Sequence, residues 1–77
     1  MPSPVELVVS IVKKIVDHPE AVTGKMSSDG ITVELETTPE DRGRVIGRRG
    51  KTVDSLRILA TAAFANPGGH VDIKIKE

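Results

Sequence analysis

The sequence contains no cysteine, so neither a disulfide nor a thiolate-bound metal can staple it. That absence also fits a reducing compartment. Tryptophan and tyrosine are missing too, and Phe64 is the single aromatic residue. Folds that hold single strands by stacking bases on exposed rings, such as the RRM and OB types, are poorly served by this composition. No apolar run approaches the ~20 residues of a membrane span. Met1-Pro2-Ser3-Pro4 opens the chain without the basic stretch of a signal peptide. A cytoplasmic protein with no membrane segment is expected.

Histidine is scarce. His18 lies beside a helix stop and His70 beside a Gly-Gly turn, and neither has a nucleophile or metal-ligating partner at a telling spacing. Asp17 reads as polarity at a helix end, and Ser55 lies on a helix face without the glycines of a nucleophile elbow. No enzyme activity, cofactor or metal site is expected. With 77 residues there is room for one domain, 1–77, whose small core is marginal alone.

Charge of either sign is balanced overall, with 11 basic and 11 acidic residues. The balance hides a local excess. Arg42, Arg44, Arg48, Arg49 and Lys51 fall in ten residues that contain no acid. A neutral protein with one concentrated positive site can still attract a polyanion. A solvated basic turn would look the same by charge alone.

Periodicity supplies the elements. Ser3, Pro4 and Glu6 start a helix as cap, first residue and capping-box acid. Val5, Val8, Val9, Val12, Ile15 and Val16 share its inner face, and His18-Pro19 ends it. Ala21 to Met26 is a short strand. Ser27-Ser28-Asp29-Gly30 turns it into a second strand, in which Ile31, Val33 and Leu35 alternate with polar residues. Thr38 caps a second, short helix. A third runs from about Lys51 to Ala65, with Val53, Leu56, Ala60, Ala63 and Phe64 inside, and Asn66-Pro67-Gly68-Gly69 stops it. Val71, Ile73 and Ile75 form a last strand. The order α-β-β-α-α-β predicts an α+β fold: a mixed three-stranded sheet with helices packed on one face, its second and third strands parallel.

The chemistry concentrates at the joint between the second and third helices. Gly47 and Gly50 bracket Arg48 and Arg49. Glycine permits a sharp turn and close approach of another backbone. The helix that follows aims free N–H groups at the loop. Val45, Ile46 and Val53 would make an apolar floor beside it. Phosphates on one edge and bases on the other suit such a site, which points to single-stranded nucleic acid.

Val45-Ile46-Gly47-Arg48-Arg49-Gly50-Lys51-Thr52-Val53 resembles the KH motif, a hydrophobic residue and Ile-Gly-x-x-Gly followed by a hydrophobic position. The element order is similar to the type II KH fold. Nearly the whole chain, including Asp41-x-Gly43-Arg44, resembles the KhpA family of bacterial single-KH proteins. The resemblance implies binding of single-stranded RNA. It would involve Gly47, Arg48, Arg49, Gly50 and Lys51, with Arg44 ahead of the loop and Val45, Ile46 and Val53 in the groove. It also implies an RNA-chaperone role, a KH-containing partner of the KhpB type (Jag or EloR), and a link to cell-shape and cell-wall control. A KH groove works by backbone contacts and apolar packing, so it tolerates the lack of aromatics.

Three rival readings fit less well. Gly50-Lys51-Thr52 suggests a phosphate-binding P-loop, but the position that must be glycine is Val45, and a helix precedes it. A helix-turn-helix DNA binder would be mainly helical, whereas about a third of this chain has strand patterns. DNA binding by a KH groove itself and a mainly protein-interacting role both remain as alternatives. The third helix bears on the last of these. A turn of about 100° per residue puts Ser55, Ile58, Ala62 and Ala65 opposite its inner face, in a stretch from Ile58 to Asn66 without charge. That side is expected to pair with a second copy or a partner KH domain.

Overall fold

The computed structural model describes residues 3–65 and 69–76. Helix α1 (Pro4–Ile15) starts where the Ser3 hydroxyl accepts from the Glu6 N–H at 3.1 Å. It buries Val8 and Val12 completely. The helix stops at Ile15, with Val16 extended, earlier than the His18-Pro19 signal requires. The reason is a distant acid. The N–H groups of Asp17 and His18 donate to the carboxylate of Asp41 at 3.1 and 2.9 Å. Asp41 is buried, and burial pushes its carboxyl up. The donors from Asp17 and His18, with the Thr38 hydroxyl, outweigh that and hold it below the ordinary value.

A 3-10 turn, Pro19–Ala21, occupies the expected start of the first strand. Strand β1 therefore covers only Thr23–Met26, and β2 covers Thr32–Glu36. Between them Asp29 accepts from the N–H groups of Ile31 and Thr32, both at 2.9 Å, and from the Thr32 hydroxyl at 2.7 Å. Donation from Ile31, then from Thr32, lowers its carboxyl below the ordinary value. Ile31, expected on the buried face of the strand, lies before β2 and is exposed.

Helix α2 (Pro39–Ile46) is capped by Thr38, α3 spans Lys51–Phe64, and β3 spans Asp72–Ile75. The element order and the mixed sheet are those of a type II KH fold. β1 and β2 are antiparallel, β2 and β3 parallel, in the order β1-β2-β3. Val33, Leu35 and Ile73 turn toward the helices and meet Val8, Val12, Val45, Leu56 and Ala60 in one core. On the other face Lys25, Glu34 and Lys74 stand side by side in register. One covered face and one wet face is the usual economy of a small sheet.

Within α3 the buried positions are Val53, Leu56 and Ala60, with Phe64 packed at the margin. Ala63, expected inside, is exposed, because the inward line runs through positions 60 and 64 and leaves 63 to one side. The helix ends at Phe64 with Ala65 extended. Of the expected stop signal, Asn66, Pro67 and Gly68 lie outside the described residues.

Candidate nucleic-acid interface

The joint between α2 and α3 is built on backbone conformation. Gly47 has φ 77° and ψ 172°. A Cβ there would come within 2.6 Å of Thr52 Cβ and 2.8 Å of the Thr52 N, so no side chain fits. Arg48–Gly50 form a single 3-10 turn, closed by the Gly50 N–H donating to the Gly47 carbonyl at 3.1 Å. Arg49 sits in the left-handed region with φ 58°, at a cost of roughly 1–2 kcal/mol for a residue with a Cβ. Gly50 follows with φ 75°, which suits glycine.

Helix α3 begins at this turn without a side-chain cap. Its first N–H groups point at the loop, and the helix dipole makes that end positive. Stability alone would place acids there. The first turn does hold one acid, Asp54, which is paired with Arg57, while Arg48, Arg49 and Lys51 stand exposed around the helix start. None of the three makes an ion pair among the described residues. The basic window therefore divides. Arg44 pairs with Asp17 at 3.1 Å, across the joint between α1 and α2. Arg42 is half-buried. The three residues nearest the loop keep their charge available.

Beside the loop a groove of about 590 Å³ runs between α3 and β3. Ile46, Val53, Ile73 and Ile75 supply its apolar lining. Ile46 is 36% exposed and faces outward, so it takes the place expected of it. Val53 reaches the groove with only its edge. Val45 does not reach it at all: it is fully buried in the core, because successive helical residues point about 100° apart and only one of the pair can face the groove. The loop can hold an anionic backbone, and the lining can hold flat apolar groups.

Two polar residues of the groove carry no sequence signal as a site. Arg57 projects from α3 and donates to Asp72 Oδ1 at 2.7 Å, to Asp54 Oδ1 at 2.6 Å and to the Ile73 carbonyl at 2.8 Å. The spacing of Asp54 and Arg57 on one helix could have suggested their pairing. The contact with Asp72 depends on β3 lying against α3, which only the fold supplies.

The outer side of α3 differs from expectation by two residues. Ser55 and Ala62 are exposed, and Ile58 is 70% exposed. Ala65 is not among them; it lies beyond the helix and packs against the core. Leu59, 53% exposed, joins Ile58 instead. Among the described residues no three acids, histidines or cysteines come together as a metal site, and no helix is long and apolar enough to cross a membrane.

The family profile described as KhpA/KhpB, KH domain, matches residues 5–75. A protein named RNA-binding protein KhpA from Leifsonia xyli is 46% identical over 65 residues, covering 82% of this chain and 86% of the relative. Its namesake in Listeria monocytogenes is 36% identical over 74 residues, 94% of this chain and 97% of the relative. A third, from Mycobacterium bovis, is 41% identical over 71 residues, 90% and 88% of the two chains. No solved structure gives a significant match.

Proposed function

The chain belongs to the KhpA/KhpB family of KH domains, which is not an enzymatic family, and from that premise we propose that it binds short single-stranded RNA. The relatives are named as RNA-binding proteins. In this reading residues 1–77 act as one KH domain. Phosphates lie on Gly47, Arg48, Arg49, Gly50 and Lys51, against the open N–H groups of α3. Bases lie along Ile46 and Val53, with Val45 supporting that floor from below. Arg44 holds α2 to α1 through Asp17 rather than touching RNA.

One observation carries the proposal: an uncapped helix start ringed by cations without ion-pair partners among the described residues. Stability gives no reason for that arrangement, and an external anion does. Arg48→Asp with Arg49→Asp should weaken binding of a labelled single strand by about 100-fold, because repulsion replaces counterion release. Both side chains are exposed, so stability should stay within ~0.5 kcal/mol. Unchanged affinity with intact circular dichroism overturns the loop assignment. Tighter binding to duplex DNA than to single strands would favour the DNA-binding alternative.

A second reading concerns assembly and rests on a separate observation. Ile58 and Leu59 are exposed on α3 beside the small residues Ser55, Ala62 and Ala63, with no charge among them. We propose that this face joins a second copy, or a KH domain of a KhpB-like partner. An RNA-chaperone role is part of this reading on family resemblance alone, and a link to cell shape and cell wall would belong to the pair with the KhpB-like partner. Ile58→Glu should convert an associating protein to monomer in sedimentation. A wild type already monomeric at high micromolar concentration, and a variant that still binds its partner, exclude this face.

A further inference from the structure

Arg57 and Asp72 line the groove from α3 and β3, and the phosphate loop makes no use of either. A guanidinium has five N–H donors. Three of them are engaged inside the protein, by Asp72, Asp54 and the Ile73 carbonyl. Two remain. Asp72 Oδ1 accepts from Arg57 and also from the Ile73 N–H at 2.8 Å. Its Oδ2 has no donor among the described residues. Both side chains still meet solvent, with 39% of Arg57 and 48% of Asp72 exposed. Their mutual bonds fix both before a ligand arrives, which lowers the ordering cost of binding. The groove thus presents a donor and an acceptor side by side.

Taking this groove as the RNA site, we propose that the Arg57–Asp72 pair reads the base lying on the apolar floor and favours bases with an exocyclic amino group over uracil. In cytosine the N4 amino group projects from the ring and can donate to Oδ2, while the neighbouring N3 accepts from the guanidinium. Adenine offers the same pair through N6 and N1. Uracil in the same pose inverts both groups: its O4 faces the carboxylate and its N3–H faces the guanidinium. Attraction and repulsion act in the same direction, which is how a site discriminates. Asp29 lines the same groove but does not compete, since the N–H groups of Ile31 and Thr32 and the Thr32 hydroxyl already occupy its carboxylate. Phosphate contacts at the loop carry no base information, so discrimination falls to the polar groups of the groove; Glu34 and Lys74 also line it, from paired positions on β2 and β3, whereas Arg57 and Asp72 join α3 to β3 beside the apolar floor.

The test compares two eight-nucleotide strands, oligocytidine and oligouridine, at neutral pH by fluorescence anisotropy. These pyrimidines have the same size and differ at the edge the pair would read. The wild type should bind oligocytidine about tenfold more tightly. In Asp72→Asn the ratio should fall near one, because cytidine affinity drops and oligouridine affinity rises once the carboxylate's repulsion is removed. Arg57→Lys keeps the charge, loses the planar fork, and should narrow the ratio as well. A merely structural role would weaken both strands equally and leave the ratio intact. Equal wild-type affinities, or a ratio that survives both substitutions, overturn the proposal. Failure of the wild type to bind either strand overturns the RNA reading beneath it, a distinguishable result.

Discussion

The turn after α1 and the turn before α3 both leave backbone N–H groups without helical partners, and the chain treats them in opposite ways. After α1 the N–H groups of Asp17 and His18 converge on Asp41, a buried acid of the protein's own. Before α3 no side chain caps the helix, Arg48, Arg49 and Lys51 surround its start, and the one acid of its first turn, Asp54, is paired with Arg57. The first turn is closed and serves the fold. The second is open, holds Arg49 in a strained conformation, and gathers like charge at the positive end of a dipole. A site that costs stability and gains nothing inside the chain is explained by what it receives from outside.

The comparison is broken most severely at the closed turn. Asp41→Ala leaves two donors without their acceptor and empties a buried position in the fold. It should lower the melting temperature on the order of 10 °C. RNA affinity per folded molecule should change little. A melt that matches the wild type would show that the turn after α1 is no more structural than the loop.

Acid should expose the same difference more gently. The carboxyls of Asp41 and Asp29 are both held below their ordinary value of 3.8. A group depressed in the folded state contributes stability that is complete above its unfolded value. That contribution is lost as pH falls through the lower, folded value. Melting temperature should therefore be level between about pH 7 and 5 and fall below about pH 4. Thermal melts of Asp41→Ala should show a shallower acid limb, since the variant has one fewer carboxylate to protonate. The turn Arg48–Gly50 has no acid, so Arg48→Gln with Arg49→Gln, which adds no carboxylate, supplies the reference in which this limb is not reduced.

The smallest effect sharpens the contrast. Arg49→Gly removes the left-handed strain and should stabilise the domain by up to about 1 kcal/mol. Extra backbone freedom in the unfolded chain offsets part of the gain. The same change should weaken RNA binding several-fold, because one cation is lost from the site. Denaturant titration paired with strand titration measures both. Stability and affinity moving in the same direction would contradict the view that the loop is strained for binding.

Local signals carried most of the architecture. Ser3 and Thr38 announced their helices, and the alternation of Val33, Leu35, Ile73 and Ile75 announced the two inner strands. Gly47 and Gly50 marked the loop, since their backbone conformations leave few alternatives. What was hidden depends on contacts far apart in sequence. Asp41 reaches back 24 residues to shorten α1. A proline turn delays β1. Arg57 finds Asp72 only after β3 has docked. Val45 and Ile46 looked equivalent because hydropathy does not say which of two adjacent apolar residues a helix will turn inward. Leu59 lies on the exposed side for the same reason, as that side of α3 is centred slightly away from where an ideal wheel puts it.

The parallel pairing of β2 with β3 has a kinetic side. Thr32 pairs with Asp72, so the helices and the loop between them must be traversed before that ladder can close. The β1–β2 hairpin and each helix can form from neighbours, whereas this ladder requires the slowest kind of chain closure. Asp72, Ile73 and Ile75 form one wall of the groove. On a translating ribosome the groove is therefore incomplete until those residues have emerged.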